Sequence, residues 1–244
     1  LLKYILKKYP TALFNKLASK NFYSHKNKNI WKLHISKGNI ESRELSNLST
    51  LNPPNGEYWA DPFVLTFNNR KFIFFENYEF KYKKSKISIC EIKDQTIGEV
   101  KEVLNLDYHL SYPFVWIEND DIFMIPETAQ KKRIEIWQAV NFPFGWKLKK
   151  ILFEGESFAD TTFFIDNLGN KWLFTNKSTD KFGDHNSELY IYKVQDNNFE
   201  NIKPHNCNPV ITNSKTARNA GKIFYNNDGN LIRPSQMNIS NIYG

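Results

Sequence analysis

The sequence predicts an all-β chain: a five-bladed β-propeller preceded by a short basic helical arm. Three observations predict it. A frame that opens on a polar side chain returns four times, as Asp61-Pro62-Phe63-Val64, Tyr112-Pro113-Phe114-Val115, Asp160-Thr161-Thr162-Phe163 and Asn219-Ala220-Gly221-Lys222, with starts 51, 48 and 59 positions apart. Each frame runs on to a second landmark, and Pro62 to Glu76, Pro113 to Glu127 and Ala220 to Pro234 are all 14 positions. Between the landmarks lie short strands broken by Asn, Asp and Gly, and a repeat of about 50 residues built of such strands is the mark of a propeller blade.

The bulk properties fit one folded domain. Of 244 residues, 16% are aromatic, and Gly and Pro are ordinary, which excludes a disordered chain. The two cysteines, Cys90 and Cys207, make neither a metal spacing nor a disulfide framework and suit a reducing compartment. No apolar run is long enough to span a membrane as a helix. The first residue is Leu1 rather than Met, which reads as a piece or a processed form of a longer chain.

The charge is unevenly placed. Residues 1–40 hold nine lysines and no acid, so they carry +9 of a net +7 and leave −2 for residues 41–244. A near-neutral folded part argues against a nucleic-acid partner.

Taken in order, residues 1–29 form the arm and 30–244 the propeller, its last blade incomplete. In the arm, apolar residues at 1, 2, 5, 6 and 9 have helical spacing with lysines between, and Pro10 interrupts the pattern. Such a helix suits first a linker to an upstream domain, and second an anionic membrane surface. Residues 30–36 alternate as a strand, and a terminal strand of this kind closes a propeller by joining its last blade. Blade one is expected at about 58–105, with Asn68-Asn69 as its first turn, and blade two at about 109–153, with Asn119-Asp120. Blade three starts at Asp160 and has a weak fourth strand near Phe199; blade four starts at Arg218, around the turn Asn227-Asp228-Gly229.

In a blade the first strand leads along the central channel and the second returns antiparallel. The start of the first and the end of the second therefore share a rim. This puts Asp61, Glu76, Tyr112, Glu127, Asp160, Asn219 and Arg233 on one face. Carboxylates converging on a concave channel suit glycosyl transfer, which needs one group to stabilise a cation-like sugar and another to move a proton. Tyr58 and Trp59 stand ready to stack on a sugar ring.

The motifs Trp59-Ala60-Asp61-Pro62-Phe63, His109-Leu110-Ser111-Tyr112-Pro113-Phe114-Val115, Met124-Ile125-Pro126-Glu127-Thr128, Ala159-Asp160-Thr161-Thr162-Phe163, Ala217-Arg218-Asn219-Ala220-Gly221 and Arg233-Pro234-Ser235-Gln236 form an ordered set. Over residues 57–244 this set resembles the propeller domain at the N-terminus of glucosamine inositolphosphorylceramide transferases. That family has relatives among bacterial surface-polysaccharide proteins, some fused to a further catalytic domain, and is similar to arabinanase and levansucrase propellers. The resemblance implies Asp61, Asp160 and the acid Glu127 as catalytic residues. The order here is Asp, Glu, Asp, where those glycosidases run Asp, Asp, Glu.

The expected site is therefore Asp61, Glu127 and Asp160 as its acidic centre, with Tyr58, Trp59, His109, Tyr112, Arg218 and Arg233 binding a carbohydrate or a nucleotide sugar. Each has a structural alternative. Asp before Pro also caps turns, Asp160 also suits an inter-blade hydrogen bond, and the two arginines also suit pairing with Asp61 or Asp160. No Gly-rich phosphate loop, zinc spacing or Ser-His-Asp arrangement is present, so no cofactor or metal is expected. Three classes stay open: a sugar transferase of surface-polysaccharide synthesis, a propeller glycoside hydrolase, and a carbohydrate-binding module serving a partner catalytic domain. The lysine arm and the lack of a secretion signal favour the cytoplasm, at the inner face of the membrane.

Overall fold

A computed structural model describes residues 31–36, 48–93, 96–179, 183–239, 242 and 243. The chain divides into two compact units, Leu1–Trp31 and Lys32–Gly244, and all the described residues except Trp31 belong to the second. The expected helical arm lies outside the described residues.

The fold is a β-propeller, and its blades follow the repeat frame. Two short strands come first, β1 (Leu33–Ile35) and β2 (Ser49–Leu51). Blade one is β3 (Glu57–Phe67), β4 (Arg70–Glu79) and β5 (Lys84–Lys93), edged by β6 (Thr96–Ile97) and β7 (Lys101–Leu104). Blade two is β8 (Ser111–Glu118), β9 (Asp121–Glu127), β10 (Ile134–Asn141) and β11 (Phe144–Leu152), in that order across the sheet. Blade three is β12 (Ser157–Ile165), β13 (Lys171–Ser178) and β14 (Glu188–Val194), edged by β15 (Ile202–Pro204) and β16 (Ile211–Thr212). The fourth frame yields only the pair β17 (Phe224–Tyr225) and β18 (Leu231–Ile232), and β19 (Asn238–Ile239) pairs with β20 (Ile242–Tyr243).

The hairpin turns form where the sequence carries Asn and Asp. Asn68 and Asn69 have φ of 48° and 59°, and Asn119 and Asp120 have 50° and 67°. Two consecutive left-handed residues match the twist of a tight hairpin. The weak fourth strand expected near Phe199 is β15, three residues on and paired with β14, while Phe199 itself is buried in the core.

The core sits between blades. Phe63 meets Tyr112 edge to face at 4.8 Å, Phe67 lies 5.0 Å from Phe142, and Trp116 lies 4.8 Å from Phe163, so aromatic pairs join blade one to two and two to three. Burying such rings is the main favourable term in holding the blades together.

The leading strand departs from expectation. Leu33–Ile35 pairs with Ser49–Leu51 rather than with the last blade. Leu33 and Leu51 are buried with Trp59, Ile73, Phe75 and Cys90, on the face of blade one turned away from blade two. Thr50 opposite His34, and Leu51 opposite Leu33, give the strand a nearby antiparallel partner before any distant one is required.

Candidate active site

One local device aims the site. At Asp61, Tyr112 and Asp160 the first strand of each blade carries a bulge, between Ala60 and Phe63, Ser111 and Phe114, and Ala159 and Thr162. All three residues are left-handed, with φ of 50°, 43° and 49°. For a residue with a Cβ this conformation costs about 1–2 kcal/mol, least for Asp and more for a bulky ring. The bulge breaks the strand's alternation and re-aims each side chain.

Four carboxyl groups converge there as two pairs. Glu76, 5% exposed, accepts hydrogen bonds from Tyr58 Oη at 3.1 Å and Ser85 Oγ at 2.5 Å, and lies 3.5 Å from His109 Nε2. Asp61 stands beside it, close enough for the charge of Asp61 to raise the Glu76 carboxyl. Asp61 Oδ2 accepts from the backbone N–H of Tyr112 at 3.2 Å, which fixes it across the boundary between blades one and two. In the second pair, Glu127 stands beside Asp160, whose charge raises it. Asp160 is 1% exposed and accepts from Arg218 Nε at 2.5 Å. Arg218 also donates to Asn186 Oδ1 at 2.8 Å and lies 4.0 Å from Glu127.

Four acids and one nearby guanidinium cannot all be ionised in a buried place. Burial, and then the Asp160 charge, push Asp61 up to about 6. Burial, and then the Asp61 charge, push Glu76 up to about 8. Glu127 is raised well above the carboxylate range, by burial first and Asp160 second, although Arg218 pulls it down. His109 is lowered by burial and adds no cation to the cluster at neutral pH. At neutral pH the cluster therefore keeps protons to give, and Asp160 is tied to Arg218.

The structure brings Asp61, Glu127, Asp160, Tyr58, His109 and Arg218 together. Tyr58 acts through its hydroxyl on Glu76, while its ring stacks on Tyr78 at 4.6 Å. With Phe80 and His109 these two rings form a half-exposed aromatic shelf beside Glu76.

Three expected sugar-binding residues stand elsewhere. Trp59 is 4% exposed and packs 4.9 Å from Phe75 on the opposite face of blade one, because the bulge lies between it and Asp61. Tyr112 is buried as a latch: its hydroxyl meets Thr162 Oγ1 at 3.2 Å and accepts from Gly221 N at 2.9 Å. Arg233 donates to the carbonyls of Thr216 and Ala217 and to Asn219 Oδ1, and so braces the loop that presents Arg218. Asn219, at the fourth frame start, is buried too, with Nδ2 donating to the Asp160 and Phe174 carbonyls at 2.8 and 3.1 Å. Glu76, Ser85, Tyr78 and Asn186 belong to the site; the repeat put Glu76 on the rim without a catalytic role, and the other three were not singled out from sequence. Glu76 alone carried a signal, its place 14 positions after Pro62.

Residues 24–244 match the family described as glucosamine inositolphosphorylceramide transferase 1, N-terminal. The chain belongs to this family. Glucosamine inositolphosphorylceramide transferase 1 of Oryza sativa subsp. japonica is 31% identical over 221 residues, covering 86% of this chain and 29% of the relative. The Arabidopsis thaliana protein of that name is 30% identical over 183 residues, covering 73% and 23%. The chain thus spans less than a third of the length of these curated relatives. Among solved structures, a Bombyx mori GH32 β-fructofuranosidase superposes with a TM-score of 0.57 at 10% identity, covering 79% of this chain and 46% of that one. A family 43 arabinoxylan arabinofuranohydrolase from Bacillus subtilis gives 0.53 at 12% identity, covering 78% and 48%. A thermostable family 43 glycoside hydrolase gives 0.51 at 9% identity, covering 76% and 73%. These likenesses concern the fold.

Proposed function

We propose that this propeller is a carbohydrate-active enzyme domain that transfers a sugar, with its chemistry at the channel rim. The observation that carries the reading is the pairing of four carboxyls, Asp61 with Glu76 and Glu127 with Asp160, beside a single guanidinium. In the proposed step Glu127 gives its proton to the departing glycosidic oxygen as the bond to the anomeric carbon breaks. Asp160, held by Arg218, is the anion near the developing oxocarbenium ion. Asp61 takes the proton of the incoming hydroxyl as the new bond forms. A sugar or lipid-borne hydroxyl gives transfer, and water gives hydrolysis.

Membership of a family named for a transferase supports transfer over hydrolysis. The acceptor proposed here is a surface glycoconjugate. The matched relatives are plant proteins whose name specifies inositolphosphorylceramide, which supports a lipid-borne acceptor, while a bacterial polysaccharide rests on the motif resemblance alone. The nine lysines of residues 1–40 support placement at the cytoplasmic face of a membrane.

A second reading, a binding module without chemistry, is favoured by the fourth frame start, where Asn219 offers an amide rather than an acid. Sugar-transfer and hydrolysis rates, paired with thermal unfolding, separate the two for Asp61→Asn and Glu127→Gln. Loss of about 2–4 powers of ten in rate in a variant that still unfolds cooperatively supports catalysis. Sugar binding with no turnover in the unmodified chain establishes the module instead.

A further inference from the structure

On the reverse face of the strand pair that carries Asp61 and Glu76 lies a cavity of ≈ 430 Å³, within the size range of small-molecule sites. Trp59 and Asn77 face each other across β3 and β4, one step from the Ala60–Glu76 pair, and both line it. Each is 4% exposed, and each sends a buried polar atom without a hydrogen-bond partner: the indole N–H of Trp59 and the amide oxygen of Asn77. Buried polar groups are almost always paired, so two orphans lining one cavity point to a ligand. The amide nitrogen of Asn77 is already engaged with Ser88 Oγ at 3.3 Å, and turning the amide over leaves the other atom orphaned.

The donor set selects the ligand. An indole N–H needs an acceptor and an amide oxygen needs a donor, and a hydroxyl is both. The charged residues around the cavity are Glu57, Glu102 and Lys86, and Lys86 is bound to Glu102 at 3.2 Å and to Glu79. This acidic balance repels phosphate. We propose that the cavity is a second binding site, separate from the channel, for a polyhydroxylated ring without phosphate, either a sugar or a cyclitol. It stands apart from the chemistry proposed for the channel, since no channel carboxyl lines it.

The test uses the 244-residue chain with glucose, glucosamine, myo-inositol and glucose 6-phosphate, by saturation-transfer NMR and by crystals soaked with each. The expected result is ring density within hydrogen-bond reach of Trp59 Nε1 and Asn77, in the sugar arms or the inositol arm, and none with glucose 6-phosphate. Val100→Trp fills the cavity from a partly exposed position and should abolish this binding, whereas Asp61→Asn should leave it intact. Asn77→Leu should weaken it roughly tenfold. A cavity holding only ordered water at saturating ligand, or binding there that Val100→Trp leaves unchanged, overturns the proposal. Sugar density against Asp61 with water alone beside Trp59 fails this site and spares the channel; the reverse pattern does the opposite.

Discussion

Arg218 Nε donates to Asp160 Oδ2 at 2.5 Å, which ties the start of the fourth repeat to the start of the third across 58 positions of sequence. The two side chains are 14% and 2% exposed, so the pair is buried and each ion depends on the other. Removing one leaves an uncompensated charge.

Arg218→Met keeps the apolar stem and deletes the charge. It should destabilise the chain by about 3–5 kcal/mol at pH 7, read from urea unfolding. The loss should shrink toward pH 5, because the stranded carboxyls can then protonate. A variant as stable as the parent at pH 7 would show that Arg218 serves a ligand and not the ring.

Stability should fall as pH rises. Asp61 and Glu76 are raised to about 6 and about 8 in the folded chain, against about 4 when unfolded. Above about pH 4 the native state binds more protons than the unfolded one. The contribution is complete below that value and is lost as pH passes through the raised values, at about 1.4 kcal/mol per pH unit for each proton involved. Denaturant unfolding should therefore give greater stability at pH 5 than at pH 8. Asp61→Asn removes a charge that raises Glu76 and should flatten the slope; an equally steep slope in that variant refutes the coupling.

Tyr112→Phe tests a latch against a sugar wall. Without the hydroxyl, the Gly221 N–H and Thr162 Oγ1 lose a partner. The expected cost is about 1–3 kcal/mol with sugar affinity unchanged. Weakened sugar binding at full stability would restore the wall.

Deleting residues 1–29 removes seven of the nine lysines. Co-sedimentation with anionic vesicles should be lost in the truncated chain, and in the full chain it should fall as salt is raised. Neutral vesicles should bind neither. An intact chain that ignores anionic vesicles ends the membrane placement.

Much of the ring was legible in the sequence because each blade repeats one spacing. Asn68-Asn69 and Asn119-Asp120 turn as hairpin chemistry requires, and the blades open at the repeat frame. The directions of side chains at the blade starts were not legible. Period-two alternation puts Trp59 and Asp61 on one face; the bulge after Ala60 separates them, and no residue type announces a bulge. Arg233 was ambiguous for another reason. A guanidinium suits an anion or a set of backbone carbonyls alike, and only the path of the 216–219 loop decides between them. The pairing of Leu33 with Leu51 crosses a stretch with no repeat to fix its register.

The left-handed bulge also bears on how such rings diverge. A backbone held near φ +50° presents whatever side chain it carries from the same point in the same direction, so Asp61, Tyr112 and Asp160 are alternative fillings of one mould. Aspartate and asparagine occupy that mould with little strain. One substitution at a blade start therefore changes which chemical group is presented without moving the bulge that aims it. At Asp61 the mould can be refilled with only a backbone N–H left to satisfy, whereas at Asp160 the same change strands the Arg218 guanidinium.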